Sequence, residues 1–205
     1  PLFAPAPDHI EKLQHETEIQ CALRCAEKLE ELVSLHQHEL CAFILEPLVQ
    51  CAGGMRMYHP VYLEQARRIC NQYGIHLIAD EIAVGFGRTG SFFACEQANI
   101  SPDFLCLSKG LTGGFLPMSA VLTTDDIFNG FLSSDRSRGF LHSHSYTCNP
   151  LGCAAALASL AIFNDEHIIE RNGNTAALIQ QHMANLNLHP NVANLRQTGM
   201  IAAFD

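Results

Sequence analysis

The chain alternates between stretches in which apolar residues recur every three or four positions and short stretches that are apolar throughout. The first pattern predicts helices with one apolar stripe. Pro60 can occupy the first turn of one of them, and Gly74 can end it. The proline-rich, polar residues 1–17 are predicted to form a loop. Helices are predicted at 19–33, 60–73, about 150–163 and about 166–188.

The short, fully apolar runs predict strands of a buried sheet. Residues 41–45 form one such run, closed by Glu46 and Pro47, and we expect it to be buried on both faces. Strands that alternate with helices predict an α/β fold with a mostly parallel central sheet and helices on both faces. Ligands of such sheets bind at the carboxyl ends of the strands. Strands are predicted at 41–45, 76–79, 104–107, 119–122 and 200–204.

Composition limits the classes of partner. The 205 residues are 48% hydrophobic and 16% charged, which is enough apolar material for a substantial core. A net charge of -9 without any run of Lys or Arg argues against nucleic acid and membrane surfaces, so a small-molecule partner is predicted. No stretch approaches the roughly 20 apolar residues of a membrane span. The chain opens at Pro1 and its first methionine is Met55, so we expect it to be part of a longer protein.

Nine cysteines lie mostly inside apolar runs and form no C-x-x-C pair. Such spacing does not match zinc ribbons or redox motifs. We interpret the cysteines as small, buried, reduced side chains, which predicts a cytoplasmic protein.

An acid and a lysine follow two successive predicted strands. Asp80 comes directly after the run at 76–79, and Lys109 follows the run at 104–107. Pyridoxal phosphate needs a lysine amine to hold its aldehyde and an acid to keep its pyridine nitrogen protonated. Taken alone, a lysine before Gly110 is more typical of a solvated loop.

The motifs around these two residues resemble the class III aminotransferase family. They are 77–82 (LIADEI), 85–90 (GFGRTG) and 107–114 (LSKGLTGG), in the family's order and spacing. The resemblance implies a pyridoxal 5'-phosphate-dependent transferase of fold type I. It also implies that residues 1–165 belong to the large cofactor-binding domain, and that 166–205 form an exit helix and the start of the small carboxyl-terminal domain.

The resemblance implies roles for individual residues. Lys109 would form the Schiff base with the cofactor, contact the substrate and move the proton during transamination. Asp80 would pair with the pyridine nitrogen, and Ile82 would press on one face of the ring. Arg88 would pair with a substrate carboxylate. Glu46 would neutralise a substrate-binding arginine or end its strand in a purely structural role.

A second group of site residues is implied in the segment 140–146. His144 and Ser145 would contribute to binding of the cofactor phosphate in the neighbouring subunit of a homodimer. Ser143 would present a backbone carbonyl to substrate. The family's phosphate loop, its ring-stacking tyrosine and its carboxylate-binding arginine have no counterpart in these 205 residues.

Within the family, residues 46–60 are most similar to the members that act in biotin synthesis, and 116–124 agree with them. This similarity implies S-adenosylmethionine as amino donor and 8-amino-7-oxononanoate as acceptor. An enzyme acting on an ω-amino acid or ornithine is the alternative. Two departures are Cys51 and Cys148, where the family commonly has glycine; both are tolerated if the backbone angles there are ordinary.

Three other interpretations are weaker. The spacing G-x-G-x-x-G at 85–90, with Asp103 beyond it, is formally a dinucleotide fingerprint, but the loop does not directly follow its strand. His142 and His144 lack a third metal ligand at suitable spacing, so no metal site is predicted. A non-enzymatic module, or a catalytically incomplete piece of an enzyme, would keep the fold without the activity.

Overall fold

The computed structural model describes residues 1–205, which form five α-helices and eight strands. The helices are α1 (Glu18–His36), α2 (Val61–Tyr73), α3 (Asp125–Phe131), α4 (Pro150–Asp165) and α5 (Ile168–Met183). The strands are β1 (Ala42–Leu45), β2 (Val49–Gln50), β3 (Arg56–Met57), β4 (His76–Asp80), β5 (Phe104–Leu107), β6 (Ala120–Thr123), β7 (Arg196–Thr198) and β8 (Ile201–Ala203).

The central sheet has four strands in the order β1-β4-β5-β6. The first three strands are parallel and β6 runs antiparallel to β5. A mostly parallel sheet with helices between its strands confirms the predicted α/β class. Two small antiparallel pairs, β2-β3 and β7-β8, lie outside this sheet.

The predicted helix ends are confirmed by their local chemistry. Thr17 precedes α1 and forms a capping box with Gln20, which satisfies two backbone N–H groups. Pro60 precedes α2, and Gly74 ends it in the left-handed conformation with φ of 66°. The fourth predicted helix is shorter than expected, because the chain tightens into a 3₁₀ turn at Ala184–Leu188.

The main core lies between one face of the sheet and the pair α1 and α2. Leu77 of β4 is fully buried in it, and Phe43 and Leu45 of β1 pack against it. Ile44 points to the other face and is 60% exposed. The prediction that this strand is buried on both faces is therefore wrong, because β1 is an edge strand and α1 and α2 cover only one side of it.

Four of the nine cysteines are buried as predicted: Cys21, Cys25, Cys70 and Cys95. Cys41 and Cys148 are exposed, so the interpretation of all nine as core residues is too broad. All nine are free thiols. None of the helices combines the length and the apolar character that crossing a membrane requires.

The terminal hairpin, β7 and β8, is fastened to the body of the molecule by Arg196. The Arg196 guanidinium is almost fully buried and donates to the backbone carbonyls of Gly54 at 2.7 Å and Met55 at 2.9 Å. It also pairs with Asp205 at 3.1 Å. Only β8 of this hairpin is predicted from the sequence, because the three residues of β7 are too polar and too few to form a recognisable strand pattern.

Candidate active site

The parallel pairing of β4 and β5 brings Asp80 and Lys109 to the same edge of the sheet. Asp80 is the last residue of β4 and lies opposite Cys106 of β5. Lys109 follows Cys106 by three positions, just beyond the end of β5. Both side chains therefore leave the carboxyl ends of neighbouring strands, where ligands of such sheets bind. The predicted meeting of acid and lysine at one rim is confirmed at the level of the strands.

Lys109 opens a tight 3₁₀ turn, Lys109–Thr112, that holds its backbone in an unusual conformation. Its φ is +41°, in the left-handed region that side chains other than glycine rarely adopt. The Ser108 hydroxyl donates to the carbonyl of Met118 at 2.7 Å and fixes the start of the turn. Backbone strain of this kind persists where the surroundings impose it, and it is common at functional sites.

The Lys109 turn and the glycine loop at 85–90 are packed against each other. A Cβ atom on Gly110 would lie 2.7 Å from Cβ of Phe86, so only glycine fits between the two segments. The Ser159 hydroxyl of α4 donates to the Gly110 carbonyl at 3.1 Å and supports the turn from behind. A small cluster of buried residues lies beneath this contact. It consists of Phe86, Leu107, Leu111 and Ala156.

The glycine loop does not have the geometry of a dinucleotide-binding loop. Residues 81–90 form a series of turns and are followed by a short 3₁₀ helix, Ala94–Ala98, instead of opening an α-helix. Asp103 does not end a strand; its carboxylate pairs with Arg67 of α2 at 2.8 Å. The dinucleotide interpretation therefore fails on the structure as well as on the sequence context.

Arg88 projects from this loop as an exposed side chain. Its guanidinium makes one hydrogen bond, to the Ala83 carbonyl at 3.4 Å, and no ion pair. The guanidinium is thus free to take a carboxylate partner.

Cys51 lies among the charged residues of the sheet edge. Its N–H donates to the carboxylate of Glu46 at 3.0 Å. Burial raises the pKa of the Cys51 thiol, and the negative charges of Glu46 and Asp80 add to the rise. The positive charges of Lys109 and Arg88 oppose it. The thiol is therefore within electrostatic range of all four charged groups at this edge of the sheet.

Glu81 is a buried carboxylate whose role is structural. It is fully buried and accepts hydrogen bonds from the N–H groups of Ala94 at 2.7 Å and Cys95 at 2.8 Å. Burial raises its pKa, and the two N–H groups partly oppose the rise. A Cβ on Gly85 would lie 2.9 Å from the Glu81 carbonyl oxygen. Glu81 thus folds the segment after Asp80 back on itself, a role that its position beside Asp80 did not indicate.

The second predicted group of site residues lies apart from these contacts. Ser143, His144 and Ser145 are exposed. The hydrogen bonds of His144 are local, to Thr147 at 3.0 Å and Tyr146 at 3.1 Å. The chain by itself therefore gathers Asp80, Lys109 and their neighbours but does not add the 140–146 segment to them.

Cys148 occupies a position that favours glycine. Its φ is +57°, so the condition of ordinary backbone angles fails there. Cys51 is not in the left-handed region, and the condition holds at that position.

Comparison with known proteins gives a consistent result. Residues 2–205 match the family described as aminotransferase class III. Adenosylmethionine-8-amino-7-oxononanoate aminotransferase of Helicobacter pylori is 51% identical over 182 residues, which cover 86% of this chain and 42% of that protein. The protein of the same name from Nitratidesulfovibrio vulgaris is 43% identical over 100% of this chain and 38% of its own length. The chain therefore spans about two fifths of these curated relatives.

Solved structures agree with this result. The adenosylmethionine-8-amino-7-oxononanoate aminotransferase of Methanocaldococcus jannaschii superposes with a TM-score of 0.84 at 38% identity, covering 88% of this chain and 42% of that one. An omega transaminase from Pseudomonas jessenii in complex with PMP superposes with a TM-score of 0.89 at 33% identity. The superposition covers 98% of this chain and 45% of the transaminase.

Proposed function

Since this chain belongs to the class III aminotransferase family, we propose that the complete protein transfers the amino group of S-adenosylmethionine to 8-amino-7-oxononanoate, giving 7,8-diaminononanoate for biotin synthesis. Relatives named for this activity are up to 51% identical to the chain over the aligned residues. Members of the family use pyridoxal 5'-phosphate.

The residues at the sheet edge fit this cofactor. Lys109 offers an amine for its aldehyde and Asp80 a carboxylate for its pyridine nitrogen. Ile82 lies two positions beyond Asp80 and offers an apolar surface for the ring. Once bound, the cofactor acts as an electron sink that makes the substrate's α-proton acidic.

The chain's own groups would do the remaining work. Lys109 Nζ would take the proton from the substrate carbon and return it to the cofactor side, which is general acid–base catalysis. Arg88 would orient the substrate through its carboxylate. Asp80 accepts a hydrogen bond from the Ile82 N–H at 3.1 Å, which fixes the direction of its carboxylate. The observation that carries this assignment is the parallel β4-β5 pairing that delivers Asp80 and Lys109 to one edge.

We further assign the protein to homodimers in which Ser145 and His144 serve the cofactor phosphate of the neighbouring subunit, while Ser143 offers its carbonyl to substrate. The exposure of the segment, which is held only by local bonds, supports this assignment.

Residues 1–165 are assigned to the large domain and 166–205 to the exit helix and the start of the small one. The break between α4 and α5 supports this boundary, because His167 takes a φ of +49° there. The nine free cysteines support a cytoplasmic location.

The substrate assignment is tested on the full-length protein loaded with pyridoxal phosphate. We expect formation of 7,8-diaminononanoate from S-adenosylmethionine and 8-amino-7-oxononanoate, and its loss in Lys109→Ala. A second candidate function is that of an ω-amino acid or ornithine aminotransferase. It is supported by the solved omega transaminases, which superpose on the chain with TM-scores up to 0.91. Turnover of ornithine or β-alanine without any turnover of the biotin pair would establish that alternative and refute the assignment.

A further inference from the structure

We propose that the turn of the β7-β8 hairpin sets the position of Arg88, with Gly199 as a positioning residue for substrate binding. This inference rests on the proposed function, in which Arg88 pairs with a substrate carboxylate. Gly199 belongs to the terminal hairpin, far along the chain from the glycine loop that carries Arg88. The two backbones nevertheless lie in close contact.

The backbone around Arg88 is held from three directions. The Arg88 carbonyl accepts a hydrogen bond from the N–H of Met200 at 2.8 Å. The Gly87 carbonyl accepts a hydrogen bond from the side chain of Asn172 at 3.2 Å. The Thr89 carbonyl accepts one from the side chain of Gln97 at 2.8 Å. Two of these three donors come from the carboxyl-terminal elements, α5 and the hairpin turn. The backbone of Arg88 is thus held by segments outside the strands β4 and β5.

Gly199 lies against the same backbone with no space for a side chain. A Cβ atom there would be 2.4 Å from the carbonyl carbon of Thr89, 2.6 Å from the nitrogen of Gly90 and 2.7 Å from the Arg88 oxygen. All three are backbone atoms, which cannot rotate aside as a flexible side chain would. Gly199 also has a φ of +57°, which further favours glycine. Any larger residue must push the Arg88 segment and the turn apart.

The hairpin is rigid enough to act as a support. Its Arg196 is tied to the carbonyls of Gly54 and Met55, as described above. The Gln197 side chain donates to the Gly199 carbonyl and to the Ala176 carbonyl of α5, both at 2.8 Å. The turn is therefore fixed to the β2-β3 side of the molecule and to α5 at the same time. A displacement caused at Gly199 would fall largely on the loop that carries Arg88.

The chemistry of Arg88 makes such a displacement consequential. A guanidinium binds a carboxylate best through two parallel hydrogen bonds, so the pairing depends on orientation. The Arg88 side chain has one weak hydrogen bond of its own, to Ala83 at 3.4 Å. Its direction is therefore set mainly by its backbone, and misplacement by about 1 Å is enough to weaken a positioning contact strongly.

The experiment is a double-mutant cycle in the full-length enzyme. We expect Gly199→Ala to raise KM for the carboxylate-bearing substrates about tenfold while changing kcat much less. In an Arg88→Ala background the same substitution should add no further rise in KM, because the group through which it acts is gone. Gly173→Ala is the matched control: this glycine lies on α5 with no atom within 4 Å of an added Cβ, and its substitution should leave KM unchanged.

A milder variant guards against loss of folding. Gln197→Ala removes the hydrogen bond to the Gly199 carbonyl without adding bulk, and it should raise KM about twofold to threefold with the same dependence on Arg88. A rise in KM of equal size in both backgrounds would overturn the positioning role and assign Gly199 to stability alone. No change of KM in either variant would overturn it as well. If Arg88→Ala itself leaves KM unchanged while the biotin pair is still turned over, the role of Arg88 fails but the proposed function stands.

Discussion

Two residues, Cys148 and Lys109, have backbone conformations that are unusual for their residue types. Cys148 has a φ of +57° at a position where the resemblance led us to expect glycine. Lys109 is also left-handed, with φ of +41°, and its amine is the group that we propose holds the cofactor. The two cases differ because the strain at Lys109 falls in the proposed site, whereas Cys148 is an exposed free thiol to which we assign no role.

We therefore predict that Cys148→Gly stabilises the full-length protein by about 1 kcal/mol, because glycine adopts this conformation without steric cost. Chemical denaturation measures the change. Cys153→Gly is the control, since Cys153 lies inside α4 and glycine should destabilise that helix by about 1 kcal/mol. A loss of stability in Cys148→Gly would contradict the strained conformation at this position.

At the residue scale, the sequence predicts which residues carry the candidate chemistry better than it predicts the contacts that hold them. Asp80 and Lys109 can be found from the ends of two apolar runs, because parallel strands place their carboxyl ends together. The packing of Gly110 on Phe86 could not be predicted, since it depends on a contact between two loops that only the folded chain defines. The same holds for Cys51, which the family pattern marks as a departure and whose N–H the fold places against the Glu46 carboxylate.

At the scale of elements, Asp103 links three parts of the sheet layer. Its carboxylate pairs with Arg67 of α2 at 2.8 Å and accepts the N–H of Leu77 in β4 at 2.6 Å. It precedes β5 directly. Although burial by itself would raise the pKa of Asp103, the Leu77 N–H and Arg67 lower it below its usual value of 3.8. Its contribution to stability is therefore present above pH 3.8 and lost as the pH falls below that value.

We predict that Asp103→Asn lowers the free energy of unfolding by about 1–3 kcal/mol at neutral pH, because Arg67 and Leu77 lose a charged acceptor. Toward acid pH the difference between variant and wild type should shrink, which denaturation at several pH values would reveal. Asp126→Asn is the control, because Asp126 is exposed and its side chain forms no hydrogen bond. A difference that stayed constant with pH would show that the Asp103 carboxylate has no lowered pKa.

The helices and strands lie where the sequence predicts them when the apolar pattern extends over enough residues. Helices α1 and α2 and strands β4 and β5 match their predicted positions, since each combines a clear period with a marked end. The short pairs β2-β3 and β7-β8 escape prediction in whole or in part, because two or three residues carry too little pattern. Yet β7-β8 carries the turn that holds Arg88.

At the scale of the whole molecule, several large apolar side chains are exposed in α4 and in the segments that precede it. Phe115, Phe140 and Leu141 are 68–88% exposed, and the large apolar residues Leu151, Leu157, Leu160 and Ile162 of α4 are 37–70% exposed. Exposed apolar side chains that form a patch mark interaction surfaces. The exposed apolar residues on either side of Ser145 in the sequence agree with the proposed homodimer.

We predict that the site is shared between subunits. Ser145→Asp, which places a carboxylate beside the cofactor phosphate, and Lys109→Ala should each be inactive as homodimers. Co-expression of the two variants should restore about a quarter of wild-type activity, because random pairing gives half hybrids with one intact site each. The control is co-expression of Ser145→Asp with the wild-type protein at the same expression ratio. If the hybrids recover no activity, Ser145 serves the cofactor of its own subunit or serves no cofactor.

The central claim is that Lys109 holds the cofactor, and covalent trapping tests it most directly. The full-length protein is loaded with pyridoxal phosphate and reduced with borohydride, which fixes the cofactor on the lysine that holds it, and the labelled peptide is then mapped. We predict a single modified lysine at Lys109 and none in Lys109→Ala. A label on another lysine, or no label on the wild-type protein, would contradict the account.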